Sequence, residues 1–290
     1  MFVFKAAVVG AGTMGGEIAQ VVAAAGIPVV LKDVKQEFVD TGLEKARQVT
    51  EGQLGALVGK EKITQEQADI QREELLGRIT GTTGYDDFGD VDFVIEAVPE
   101  RMEIKQAVFA ELDEVTPGHA ILASNTSSLS ISEMAEATLR PDKVCGFHFF
   151  WPASMMRLIE VVEGEETSEE TLQAAANFAQ AIRKTAVRCG EVPGFVVNRI
   201  LISSASEVWR ATEEGGLDPH EVDKVVKDSG TIPMGPFFLA DLSGLDIALH
   251  TAEHLRDSYG ERFYVMSKMK ALVEAGDLGQ KTGKGFYEHG

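Results

Sequence analysis

The 290-residue sequence predicts an α/β protein, with an N-terminal doubly wound domain and a smaller, all-helical C-terminal domain. Three observations predict it. Short apolar runs of strand length alternate with helix-compatible segments through the first part of the chain, the pattern of a mostly parallel sheet. A glycine-rich turn, Gly10-Ala11-Gly12-Thr13-Met14-Gly15, joins the first apolar run to the first helix. Beyond Cys189-Gly190-Glu191-Val192-Pro193-Gly194 the periodicity is mainly helical, which sets a boundary near residue 189 and gives domains 1–188 and 189–290.

Taken in order, Phe2 to Val9 reads as a buried strand, Glu17 to Ala25 as a helix stopped by Gly26, and Ile27 to Leu31 as a second strand ending at Lys32-Asp33. Residues 36–76 are rich in Glu, Gln, Lys and Ala and read as helices, forming an arm. Val91 to Val98 returns to strand character, Arg101 to Leu112 is helical, and Ala120 to Ala123 is a short strand leading into a polar turn. Val144 to Phe150 and Leu158 to Val162 follow as strands, Glu165 to Arg183 as a helix, and Ala186 to Arg188 as an edge strand. In the second domain, Asp218-Pro219 with Glu221 predicts an N-cap, a first-turn proline and a capping-box partner.

The glycine turn fits G-x-G-x-x-G. Gly10 permits the tight turn, Gly12 lets backbone approach a pyrophosphate, and Gly15 allows close helix–strand packing. Thr13 and Met14 lie between them, where a helix N-terminus directs unpaired N–H groups at phosphates. Such a motif is common by itself. Here it follows a strand, opens a helix, and precedes Asp33 at the end of the second strand, near the spacing expected of a ribose-binding acid. The reading is a Rossmann-type domain that binds NAD, with Asp33 accepting from ribose hydroxyls and repelling a 2′-phosphate. The plainer alternative for Asp33 is a helix cap, and Lys32 and Lys35 beside it weaken its discrimination.

The net charge of −19 argues against nucleic acid or an anionic membrane as partner, because no Lys/Arg run offsets it. Cys145 and Cys189 form no C-x-x-C pair, so no metal is expected. No transmembrane run or signal-peptide pattern is evident, and the expected location is cytoplasmic.

A dehydrogenase needs a base that works near neutral pH, which favours histidine. Among six histidines, His148 stands out in the apolar run Gly146-Phe147-His148-Phe149-Phe150, and Glu160 lies on the next one. A carboxylate there would hold one imidazole nitrogen and stabilise the imidazolium. By spacing alone, a histidine on an apolar strand is more often a satisfied core residue.

At this point the sequence resembles the 3-hydroxyacyl-CoA dehydrogenase family along nearly its whole length. The resemblance rests on Gly10 to Gly16; Glu96-Ala97-Val98 with Glu100 and Lys105; Ser124-Asn125-Thr126-Ser127-Ser128-Leu129; and Gly146 to Glu160. It continues through Pro193-Gly194-Phe195 with Asn198-Arg199, Pro233-Met234-Gly235-Pro236, and Lys281-Thr282-Gly283-Lys284-Gly285-Phe286-Tyr287. It implies NAD-dependent oxidation of (S)-3-hydroxyacyl-CoA to 3-ketoacyl-CoA, and the reverse, in fatty-acid β-oxidation, by a homodimer formed through the helical domain. It implies that His148 is the base, Glu160 its orienting partner, Ser127 a hydrogen-bond partner of the substrate's 3-oxygen, and Asn198 a neighbour of the pair. Glu100, Lys105 and Lys281 are implied to contact or enclose the cofactor. Plainer roles stay open: a helix cap for Ser127, backbone satisfaction for Asn198, a solvated helix face for Lys105.

The sequence departs from the family after the His-Phe-Phe triplet, where Trp151 replaces the usual Asn and is expected to reshape the cofactor or acyl pocket. In the arm, Lys60 and Lys62 are candidates for contact with CoA. Two other readings remain: a relative acting on a sugar acid or another free hydroxy acid, and a dehydrogenase module of a larger fatty-acid oxidation protein. A non-catalytic NAD-binding scaffold fits least, because the acid–base pair is intact.

Overall fold

The computed structural model describes residues 2–290. The chain divides into two compact units, Met1–Glu191 and Val192–Gly290. The sequence boundary at 189 falls inside the last strand of the first unit, which runs to Gly190.

The first unit is an eight-stranded sheet in the order β3-β2-β1-β4-β5-β6-β7-β8. Its strands are β1 Ala6–Val9, β2 Val29–Lys32, β3 Ile79–Thr82, β4 Phe93–Glu96, β5 Ile121–Ser124, β6 Val144–Phe149, β7 Leu158–Glu163 and β8 Thr185–Gly190. Strands β1 to β6 are parallel; β7 turns back antiparallel to β6, and β8 pairs parallel to β7. The central strands AAVV, FVIE and ILAS are buried on both faces, which is why they read as continuous apolar runs.

Three differences from the sequence reading have clear causes. The strand read from Phe2 begins only at Ala6: Phe2 and Phe4 are exposed, and the amides of Phe4 and Lys5 donate to Asp92 instead of to a sheet neighbour. β3 was not foreseen, because ITGT is a half-exposed edge strand with a glycine and little hydrophobic signal. The first helix begins at Thr13, inside the glycine motif.

The helices of this unit are α1 Thr13–Ala24, α2 Gln36–Gly59, α3 Gln65–Leu76, α4 Met102–Val115, α5 Ile131–Ala135 and α6 Glu169–Ala181. The expected arm is the pair α2 and α3. The buried residues of α2 (Val39, Gly42, Ala46, Thr50) all precede its last two turns, and α3 buries only Ala68. A capping box of Thr64 and Gln67 starts α3.

The second unit contains α7 Val197–Glu214, α8 Pro219–Asp228, α9 Pro236–Ser243, α10 Leu245–Tyr259 and α11 Ser267–Glu274. Its core is built on Trp209, Phe237, Leu245, Leu255 and Phe263. Asp218 caps α8 by accepting from His220 N–H, rather than through the capping box expected with Glu221. Two buried carboxylates fasten the chain end. Asp241 accepts from the amides of Phe286 and Tyr287, and Asp223 accepts from those of Phe237 and Phe238 and from the Tyr287 hydroxyl. Among the described residues, no helix is long and apolar enough to cross a membrane.

Candidate active site

Strand order reverses between β1 and β4, and the carboxyl ends of the strands flanking that point form the crevice where open α/β sheets bind ligands. Gly10 follows β1 with φ +102°, and a Cβ there would lie 2.5 Å from the Ala97 carbonyl oxygen beyond β4. A Cβ on Gly15 would lie 1.7 Å from the Gly10 carbonyl oxygen, so the first turn of α1 sits directly on the glycine turn. Gly12 differs from both, since a Cβ there would meet nothing within 4 Å. Gly12 also caps α1 with no side-chain hydrogen bond. The turn is therefore tightly packed at Gly10 and Gly15 and open at Gly12, at the end of α1 whose first amides have no partner within the helix. That combination suits a pyrophosphate.

Asp33 closes the far side of this turn. Its Oδ2 accepts from Ala11 N at 2.7 Å and its Oδ1 from Val34 N at 2.7 Å. These two bonds orient the carboxylate and leave further lone pairs for ribose hydroxyls. Neither bond caps a helix: α1 is capped by Gly12 and α2 by Lys35, both without a side-chain hydrogen bond, so the plainer reading of Asp33 as a helix cap is not met. Lys32 is turned away from this role: it is buried, with Nζ 3.1 Å from the Tyr85 hydroxyl and 4.2 Å from the ring centroid.

His148 and Glu160 are cross-strand partners in the β6–β7 ladder, so antiparallel register places both side chains on one face. Imidazole Nδ1 lies 2.8 Å from Glu160 Oε2, with His148 6% and Glu160 1% exposed. Neighbouring Phe150 has its ring centroid 4.6 Å from that of the imidazole. When Glu160 is ionised its carboxylate can only accept, which assigns the hydrogen to Nδ1 and makes Nε2 the basic nitrogen of that tautomer.

Ser127 is in the turn after β5. Its amide donates to Glu100 Oε1 at 3.0 Å, and its hydroxyl lies 3.4 Å from the same oxygen. Glu100 Oε1 also accepts from the Thr126 hydroxyl at 2.6 Å, and Glu100 Oε2 lies 3.2 Å from Lys105 Nζ. Burial alone would raise the Glu100 carboxyl, but the Lys105 charge and the Thr126 and Ser127 donors outweigh it and hold the group below its ordinary range. Lys105 is 1% exposed, so it is not a solvated helix face. Its ammonium lies 2.8 Å from Glu96 Oε1 and 3.0 Å from Oε2.

Sequence reasoning assigned no role to three residues that the fold places here. Glu96, fully buried at the end of β4, accepts from Lys105, from the Ser124 hydroxyl and from Val98 N. Asn125 Oδ1 accepts from Phe149 N at 2.8 Å and so ties the β5 turn to the strand carrying His148. An acid ending the apolar run Phe93-Val94-Ile95 was the available signal for Glu96; Ser124 and Asn125 gave none apart from polarity. Trp151 is 52% exposed just past β6. Asn198 stands in the first turn of α7, and Lys281 pairs with Asp246 at 2.6 Å; both belong to the second unit. Lys60 and Lys62 are exposed in the turn between α2 and α3.

A family model for the NAD-binding domain of 3-hydroxyacyl-CoA dehydrogenases matches residues 5–192, and one for the C-terminal domain of the same family matches residues 194–289. A probable 3-hydroxybutyryl-CoA dehydrogenase of Deinococcus radiodurans is 42% identical over 286 residues, covering 98% of this chain and 100% of that protein. A fatty acid oxidation complex subunit alpha of a Psychrobacter species is 41% identical over 287 residues, 98% of this chain but 38% of the subunit. Among solved structures, (S)-3-hydroxybutyryl-CoA dehydrogenase from Ralstonia eutropha superposes with a TM-score of 0.90 at 36% identity, covering 100% of both chains.

Proposed function

The chain belongs to the 3-hydroxyacyl-CoA dehydrogenase family, and from that premise we propose how its own residues carry the reaction. It is an NAD-dependent enzyme of fatty-acid metabolism that oxidises (S)-3-hydroxyacyl-CoA to 3-ketoacyl-CoA and runs the reverse. When bound, NAD accepts the hydride from the substrate's third carbon. The open face of the turn at Gly12, with the amides of Thr13 and Met14, would hold its pyrophosphate, and Asp33 its adenosine ribose.

The observation that carries the assignment of roles is the buried His148–Glu160 pair. With Nδ1–H held by Glu160, His148 Nε2 takes the hydroxyl proton as hydride leaves, and Glu160 stabilises the imidazolium that forms. In the reverse direction the imidazolium returns the proton to the 3-oxygen. Ser127 hydrogen-bonds that oxygen and fixes it relative to the base. For the roles of Asn198 and Lys281 the family resemblance alone gives support. Glu100 and Lys105 border the same crevice, on the loop and helix that follow β4.

NADH consumption with acetoacetyl-CoA, free acetoacetate and longer ketoacyl-CoAs, compared side by side, tests the substrate class. The CoA thioesters should be strongly preferred, because binding of the remote CoA moiety positions the reacting carbon. Better turnover of the free acid would overturn the assignment. The Psychrobacter coverage favours a second reading in one respect, that such a chain also serves as the dehydrogenase module of a larger protein. Gel filtration and a hydratase assay on the purified protein distinguish the two.

We further propose a cytoplasmic homodimer assembled through the second unit. Ile200, Leu201, Val225, Ile232 and Ile247 are exposed there and are the apolar side chains such an interface would cover. A monomeric mass at micromolar concentration would remove this reading.

A further inference from the structure

We infer that Glu96 and Lys105 are positioning residues for Ser127, acting through a buried ionic platform beneath the turn after β5. The inference rests on the reading of Ser127 as the substrate's hydrogen-bond partner. The platform is built from three charges. Glu96 ends β4 with no exposed surface, Lys105 comes up from the first turn of α4, and Glu100 lies between them in sequence. Lys105 Nζ is 2.8 Å from Glu96 and 3.2 Å from Glu100, and it also reaches the Val98 carbonyl at 3.4 Å.

From this platform two separate chains of hydrogen bonds reach the Ser127 turn. Glu96 Oε2 accepts from the Ser124 hydroxyl at 2.6 Å, and Ser124 Oγ in turn accepts from Thr126 N at 3.1 Å. Glu100 Oε1 accepts from the Thr126 hydroxyl at 2.6 Å and from Ser127 N at 3.0 Å. The backbone on both sides of Thr126 is thus held from below by one carboxylate and from the side by the other. Lys105 sets the spacing between these carboxylates, which would otherwise repel. Its ammonium points at both acids, so its charge is neutralised inside the fold.

The position of a buried cation at this site separates two roles. A lysine that contacts the cofactor directly would, on removal, weaken cofactor binding. A lysine that places Ser127 would, beyond any such effect, lower the turnover of the enzyme saturated with NADH. Because Lys105 acts through Ser127, its removal should cost little once the Ser127 hydroxyl is gone.

The test is a double-mutant cycle of Lys105→Met and Ser127→Ala, read as kcat for acetoacetyl-CoA reduction and as NADH dissociation constant by fluorescence. Lys105→Met should lower kcat at saturating NADH by at least tenfold, whatever it does to NADH affinity, and the double variant should be no more than about threefold slower than Ser127→Ala. If Lys105→Met does not fold, Glu96→Gln combined with Lys105→Met removes the charge from both buried partners and enters the cycle in its place. A weakened NADH affinity with kcat intact, or additive losses in the cycle, overturns the inference while leaving Ser127 in its role. Full turnover in Ser127→Ala alone overturns the reading of Ser127 itself, and the inference with it.

Discussion

Replacing Glu160 by Gln keeps the size of the side chain and removes its charge. The bond to His148 Nδ1 is 2.8 Å long and Glu160 is 1% exposed, so water does not screen the pair as it would at the surface. A hydrogen bond to a charged group contributes about 1.5–3 kcal/mol, against about 0.5–1.5 for a neutral one. The charge matters mainly when His148 becomes cationic, so the loss falls on the transition state more than on the resting enzyme. A loss of about 1–3 kcal/mol corresponds to a kcat lower by roughly 5- to 150-fold. Gln can also rotate its amide N–H₂ toward Nδ1, which would move the imidazole hydrogen to Nε2 and remove the base; this pushes the result toward the larger figure. The assay is steady-state reduction of acetoacetyl-CoA with NADH affinity measured in parallel. NADH binding should be unchanged, because the glycine turn and Asp33 are untouched. A Glu160→Gln enzyme with more than half of its turnover would refute the reasoning.

Three further outcomes follow from the geometry. Gly12→Ala should leave stability within roughly 1 kcal/mol, the size of an N-cap change, yet weaken NADH binding at least tenfold, whereas Gly15→Ala should unfold the turn because its Cβ would lie 1.7 Å from the Gly10 carbonyl oxygen; thermal melts with and without NADH separate the two. Asp33→Ala should erode the preference for NAD over NADP, read as the ratio of kcat/KM values, since ribose bonds and phosphate repulsion disappear together. Glu100 sits below its ordinary value of 4.5, so its contribution to stability is present above that pH and is lost as pH falls through the lower, folded value. Urea midpoints of Glu100→Gln and the unmodified protein should therefore differ at pH 7 and converge in acid; a constant difference would count against the Lys105 pairing.

Much of this fold was legible because central parallel strands are apolar on both faces. β4, β5 and β6 stand out in the sequence for that reason, and the glycine turn is marked by constraints that only its backbone contacts explain. β3 escaped because an edge strand needs little hydrophobicity, and the Phe2 start was wrong because aromatic residues at a chain end carry the same signal as a strand without its pairing. At the site, His148 and Glu160 could be matched from two neighbouring apolar runs. Their contact depends on antiparallel register, which no spacing along the chain specifies. Lys105 had the helical context of a surface residue, and its burial follows from two acids that the fold brings to it from β4 and the loop beyond. Glu96 was visible as a carboxylate ending an apolar strand, but the partners that give it meaning are on α4 and β5.

The central claim is that His148 takes the proton from the 3-hydroxyl, and the most direct test is the turnover of His148→Ala with acetoacetyl-CoA and NADH alongside NADH binding by fluorescence. Turnover should fall by about two to four powers of ten, the usual contribution of a general base, while NADH affinity stays the same. Adding Glu160→Gln to His148→Ala should cost little more, because both act on one proton acceptor. An alanine variant that kept most of its turnover would return His148 to the status of a buried residue paired with a carboxylate, and the reaction would need another base.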